Sequence, residues 1–228
     1  MEDSKILITD ALKEKACLKQ EIFANIKRVF LEFQTHMIAI IRDQKEQIKK
    51  VDNRVELSYQ ANGDYEAQMK LGGDILIFSM HTNIFNFNEG HEIHQKAYVK
   101  DSPLNAYCGM INIYNFLSDS FKFNRLNDVG YLIARIFVNR ENHFFVEGKR
   151  QLGFLYNDFE NAEINSVYIK AIIESAILYS IEFDLLVPPY DNVKEIPLGL
   201  KLQQAGNAFY KTGKRLGFQF NSDNIEIH

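Results

Sequence analysis

The chain has 228 residues, 46% of them hydrophobic and 25% charged, which excludes wholesale disorder and allows one large domain, or a domain with an appendage, whose core needs no covalent staples. A formal net charge of −4 gives no general attraction to nucleic acid or to an anionic membrane, so neither is an expected partner. Two cysteines, Cys17 and Cys108, are too few for a disulfide framework and point to reduced thiols in a cytoplasmic protein.

The opening Met-Glu-Asp-Ser-Lys has no signal-peptide character, and the longest aliphatic cluster, Met37–Ile41, is far too short to span a bilayer. Residues 10 to 50 then read as one amphipathic helix capped by Thr9 or Asp10. Its apolar positions (Leu12, Ala16, Ile22, Ile26, Val29, Phe30, Phe33, Met37, Ile40, Ile41 and Ile48) fall close to a 3.6-residue period. About 40 helical residues run roughly 60 Å, longer than a compact domain of this size is wide. The helix is therefore expected to project, bend or pack on a second subunit, and a homo-oligomer through residues 10–50, most simply a homodimer, is predicted. On this reading residues 1–52 form the helix and 53–228 an α+β domain.

After Val51 the period changes to two. Val55, Leu57 and Tyr59 alternate with polar residues, Asn62-Gly63 marks a hairpin, and Tyr65–Leu71 returns. Gly72-Gly73 turns the chain into a third strand, Asp74–Met80. Strands are also expected at Ile84–Phe87, Ile93–Val99 and Tyr107–Leu117, with a loop begun by Asp101-Ser102-Pro103. A hairpin of Tyr131–Asn139 and His143–Lys149 follows. Ile164–Phe183 reads as a helix with Asn165 or Ser166 near its start, Pro188-Pro189 stops what precedes it, and Pro197–Lys211 reads as a last helix ended by Gly213.

The fold class is α+β: a long N-terminal helix, a meander-like antiparallel sheet, and one or two C-terminal helices packed on it. In architecture this order resembles the small sensor domains of the GAF/PAS kind. The resemblance implies a non-catalytic binding or sensory module. Eighteen Phe and eleven Tyr would then line a pocket or an interface. Tyr107, Tyr114, Arg135 and Phe145 are the candidate residues of such a pocket or sheet face, for a small ligand of unknown identity. Lys149 and Arg150, basic residues at a strand end, are candidates for an anionic ligand.

One catalytic pattern competes. Asp128, Glu147 and Lys149 read D-x18-E-x-K, as a Mg²⁺-dependent nuclease would write two metal-holding carboxylates and a lysine that orients the water. The hydrophobic pattern of the hairpin opposes it. With Arg140-Glu141-Asn142 as the loop, Leu132, Ala134, Ile136, Val138, Phe144, Val146 and Gly148 share one apolar face, and Arg135, not Asp128, lies across from Glu147. His81, His91 and His94 cluster with Glu89 and Glu92 and form a second, weaker metal alternative. Without either metal site no cofactor is expected. A third reading makes the chain a structural assembly subunit whose long helix is its working surface.

Overall fold

The computed structural model describes residues 2–149, 151–187, 189–199 and 201. A helix begins at the second residue. It comprises α1 (Glu2–Ala11), a π-helical turn (Leu12–Ala16) and α2 (Cys17–Ile48). The expected cap is absent: Thr9 sits inside the helix with its hydroxyl donating to the Lys5 carbonyl at 2.9 Å. Helical hydrogen bonds are local, so the helix continues where nothing packs on it. Residues 3–17 are all exposed, and Leu18 is the first buried position.

From there Leu18, Ile22, Ile26, Val29, Phe30, Phe33, Met37 and Ile41 form one buried stripe. It lies on a six-stranded sheet made of β1 (Leu57–Ala61), β2 (Glu66–Leu71), β3 (Asp74–Met80), β4 (Gly109–Leu117), β5 (Tyr131–Val138) and β6 (Phe144–Gly148). All pairings are antiparallel and the spatial order is the sequence order, a simple meander. The helix crosses β4 so closely that a Cβ added at Gly109 would lie 2.7 Å from the Ile26 Cβ.

Between β3 and β4 the chain does not form the two expected strands. Ile84–Phe87 makes only a single bridge, Phe85 to Cys108. Ile93–Val99 is instead a 3₁₀ turn (Glu92–Gln95) and α3 (Ala97–Asp101), followed by a second 3₁₀ turn (Pro103–Ala106). No strand partner is available there, and short helical turns satisfy the backbone locally. Their apolar residues, Ile93, Val99 and Ala106, pack with Phe137, Phe145 and Phe159 in a second, smaller cluster.

After β4 come α4 (Ser118–Lys122), then β5 and β6, and α5 (Gln151–Leu155). The β5–β6 register is the expected one: Arg135 faces Glu147, Ile136 faces Val146 and Phe137 faces Phe145. The three-residue loop is closed by the Asn139 amide donating to the His143 carbonyl at 3.0 Å. Asn142 takes the left-handed conformation (φ 67°) that such a loop requires at its last position. One residue of the predicted apolar face is displaced. Ala134 pairs with Ile113 but Leu132 pairs with Tyr114, so Ile133 is a bulge. Ile133 turns inward at 2% exposure and Leu132 outward at 39%.

α6 (Ser166–Ile181) starts at Asn165, whose side chain accepts from the amides of Val167 and Tyr168. It packs beside α2 on the same face of the sheet. α7 (Tyr190–Val193) follows, and the Lys201 amide donates to the Pro197 carbonyl at 3.0 Å; residues 190–199 and 201 are exposed. The remainder of the expected helix to Lys211 lies outside the described residues. No helix among the described residues is long and apolar enough to cross a membrane.

Candidate functional site

Both α2 and α6 cover one face of the sheet, and the segment between β3 and β4 covers only the β4–β6 part of the other. The part of that second face left uncovered among the described residues is a floor of cross-strand rows. Directly paired residues share a face, so one row runs Glu66, Ser79, Asn112, Arg135, Glu147. The next runs Gln60, Gln68, Ile77, Tyr114, Leu132. On the other side of the polar row lie Met110, Phe137 and Phe145, the start of the aromatic cluster.

Arg135 makes an ion pair with Glu147, and its guanidinium lies 5.6 Å from the centre of the Phe137 ring. His91 closes the end of the row. Its Nε2 is 3.7 Å from Glu147 Oε1, its ring packs 4.6 Å from Phe87, and its Nδ1 accepts from the Ile93 amide at 3.2 Å. In the middle of the floor the Asn112 Oδ1 is buried with no hydrogen-bond partner among the described residues. A buried carbonyl oxygen left in this state is unfavourable by about 1–3 kcal/mol and is satisfied by any donor placed against it.

Of the residues singled out in the sequence, Tyr114, Arg135 and Phe145 lie on this one face. Phe145 is buried beneath Phe87 and beside Phe137, so it supports the floor from below. Tyr107 precedes β4, half-buried, at the end of the second 3₁₀ turn. Arg150 lies outside the described residues. Asn112 and Ser79 were not singled out; the only signal for them is a polar residue at alternate positions within otherwise apolar strands.

The nuclease triplet is dispersed among separate partners. Asp128 forms an ion pair with Arg125 at 3.0 Å and accepts from the Ser120 hydroxyl at 2.7 Å. Glu147 is engaged by Arg135 and His91. Four strand residues, about 13 Å, separate Arg135 from the start of β5, and Asp128 lies still further back. β6 ends at Gly148, so the alternation that would keep Lys149 on the face of Glu147 stops there. Lys149 instead lines a cavity of about 30 Å³ with Asn115, Tyr131, Tyr179 and Phe183.

Each candidate histidine has a ring nitrogen committed to the nearby backbone: His81 to the Asn83 amide, His91 to that of Ile93, His94 to the Phe87 carbonyl. Among the described residues no three His, Cys, Asp or Glu side chains converge to hold a metal ion.

A second concavity, about 420 Å³, lies at the other end of the sheet between Arg54, Glu56, Lys70, the Gly72-Gly73 turn, Asp119 and Lys122. Three of its charged residues are already engaged. Lys70 donates to Glu56, and this hydrogen bond and charge hold the Glu56 carboxyl below its usual range. Arg54 grips Asp52 through Nε and Nη2.

The two cysteines differ sharply. Cys17 is exposed, whereas Cys108 is fully buried and burial pushes its thiol well above the usual range. A thiol reagent on the folded protein is expected to titrate Cys17 rapidly and Cys108 only as the protein unfolds; two fast thiols per chain would contradict this packing. No protein-family model, no curated protein and no solved structure matches this chain.

Proposed function

We propose that the chain is a non-catalytic binding module of the cytoplasm, working as a homodimer, that takes its ligand on the uncovered face of the sheet. The observation that carries this reading is the row Ser79–Asn112–Arg135–Glu147. It offers an unpaired buried acceptor, a half-exposed guanidinium and a carboxylate side by side, against an aromatic wall. A few convergent polar groups beside an apolar surface are what orient a small ligand. The ligand chemistry that fits is a hydrogen-bond donor for Asn112 Oδ1 next to a planar or anionic group for Arg135.

The test is a two-dimensional NMR titration of the labelled protein with a library of small polar compounds. Ligands are expected to shift the amides of Ser79, Asn112, Tyr114 and Arg135, and Arg135→Ala is expected to weaken binding about tenfold, the loss of one charge-assisted contact. Binders that map consistently elsewhere, or that ignore Arg135→Ala, would remove this reading.

A further inference from the structure

The two edges of the sheet are treated differently. The β6 edge is closed by the chain itself. Phe144 donates its amide to the Ala162 carbonyl at 3.1 Å, Val146 donates to Tyr156 at 2.8 Å, and His143 bridges to Glu163. The β1 edge has no such cover among the described residues. On the β2 side, Asn62 donates to Glu66 at 2.8 Å and Glu56 accepts from Gly72 at 2.9 Å. The ladder between them is regular, so Ser58 and Gln60 share that phase. Leu57, Tyr59 and Ala61 must therefore aim their N–H and C=O groups outward. No hydrogen bond to them from that side occurs among the described residues.

Natural edges are usually blunted by lysine, proline, a bulge or a covering segment. Leu-Ser-Tyr-Gln-Ala has none of these. We propose that the β1 edge pairs with the β1 edge of a second copy of this chain, antiparallel and centred on Tyr59, so that the two sheets become one. This names the contact of the homodimer proposed above and rests on that part of the reading.

The pairing is self-complementary in two respects. Tyr59 bonds reciprocally to the partner subunit's Tyr59, and Leu57 to the partner subunit's Ala61, which satisfies every outward group of the strand. No charge lies within the strand to repel its own copy.

The helix layer agrees. The two-fold axis of such a pair stands perpendicular to the sheet, so both copies keep their helices on the same side. Lys27 of α2 reaches out to Asp64 at 3.0 Å, which marks the flank of α2 nearest the β1–β2 hairpin. Leu31 and Ile38 lie on that flank, four and eleven residues on. They are 52% and 48% exposed. The opposite flank is occupied, with His36 bonded to Ser166 of α6 and Asn25 to the Asn139 carbonyl. Two apolar residues thus overhang the open edge, where a second α2 would cover them.

Light scattering of the full chain is expected to give twice the 26.5 kDa monomer mass. Ala61→Pro removes one outward amide without touching the β2 ladder and is expected to weaken the dimer at least tenfold. Leu31→Glu is expected to do the same from the helix side. A crosslink supplies the direct readout in a Cys17→Ser background. An oxidised mixture of Ser58→Cys and Gln60→Cys chains should give the disulfide heterodimer, because those positions face each other, and neither variant alone should. A wild-type monomer would overturn both this pairing and the homodimer. A dimer that survives Ala61→Pro and gives no mixed crosslink would overturn the β1 pairing alone and leave the homodimer standing on another surface.

Discussion

Replacing Asp128 by alanine is expected to destabilise the protein by about 3–5 kcal/mol, the range for breaking a buried ion pair from one side. The Asp128 side chain is 4% exposed and that of Arg125 11%, and they meet at 3.0 Å. Around them the connection from α4 to β5 is wound tightly. Arg125 donates its amide to Ser120 at 2.8 Å, Asp128 donates to Arg125 at 3.0 Å, and Asn124 is left-handed at φ 50°. Without the carboxylate the buried guanidinium loses the charge that it meets at 3.0 Å.

Changing both partners to apolar residues, Arg125→Met with Asp128→Leu, is expected to recover much of the loss, since no charge is then stranded. Denaturant midpoints at equal slope measure both. A loss below about 1 kcal/mol for Asp128→Ala would mean that the carboxylate is not structural. The same experiment weighs the metal alternative. A metal held by Asp128 stabilises the native state by mass action, so a melting temperature that rises with millimolar Mg²⁺, and ceases to do so in Asp128→Asn, would restore the nuclease reading.

The β5–β6 hairpin was legible because its information is local and periodic. Alternation over Ala134–Val138 and Phe144–Gly148 fixes which side faces inward, and Asn142 ahead of His143 suits a left-handed loop end. The start of α6 was readable for the same reason to within one residue, Asn165 or Ser166, and Asn165 is the cap. The bulge at Ile133 was not, because Tyr-Leu-Ile-Ala offers apolar residues in both phases and only the pairing with β4 chooses between them. The segment from Ile93 to Val99 was misread because turns of four or five residues are too short to display a helical period. The N-terminal helix was recognised, but its apolar face carried no label. From Ile26 to Ile41 that face belongs to the chain's own sheet, and its length beyond the core appears as the exposed residues 3–17. The candidate site was the least legible part. Asn112 becomes a buried, unpaired acceptor only because β4 is a central strand, and that is a property of the sheet.

Asn139→Ala is expected to lower stability by about 3 kcal/mol, several times the effect of an ordinary surface substitution. Asn139 is fully buried and satisfied in both senses. Its Oδ1 accepts from the Glu141 amide at 2.9 Å and from the His143 amide at 3.0 Å, which shapes the loop from within. Its Nδ2 donates to the Tyr98 hydroxyl at 3.0 Å and to the Asn105 carbonyl at 3.3 Å. The side chain therefore ties the β5–β6 loop to the segment that half-covers the sheet. Tyr98 is the other half of that tie: it stacks on His143 at 4.4 Å, and its hydroxyl donates to Glu141 at 2.5 Å. Burial, and then the Glu141 carboxylate, push the Tyr98 hydroxyl above its ordinary range, so it remains a donor at physiological pH.

Alanine leaves two amides and a carbonyl without partners in a place water reaches poorly, and each such loss is unfavourable by about 1–3 kcal/mol before relaxation. Asn25→Ala provides the comparison. Asn25 donates to the Asn139 backbone carbonyl at 2.8 Å from a half-buried position, and its loss is expected to be about 1 kcal/mol. If the two variants unfold at the same denaturant concentration, the loop is held by its backbone and by α2. If Asn139→Ala is the much weaker protein, the amide side chain is what fixes the covering segment over Phe137 and Phe145. The shape of the half-open face, with His91 at its end, then depends on a residue remote from the proposed ligand.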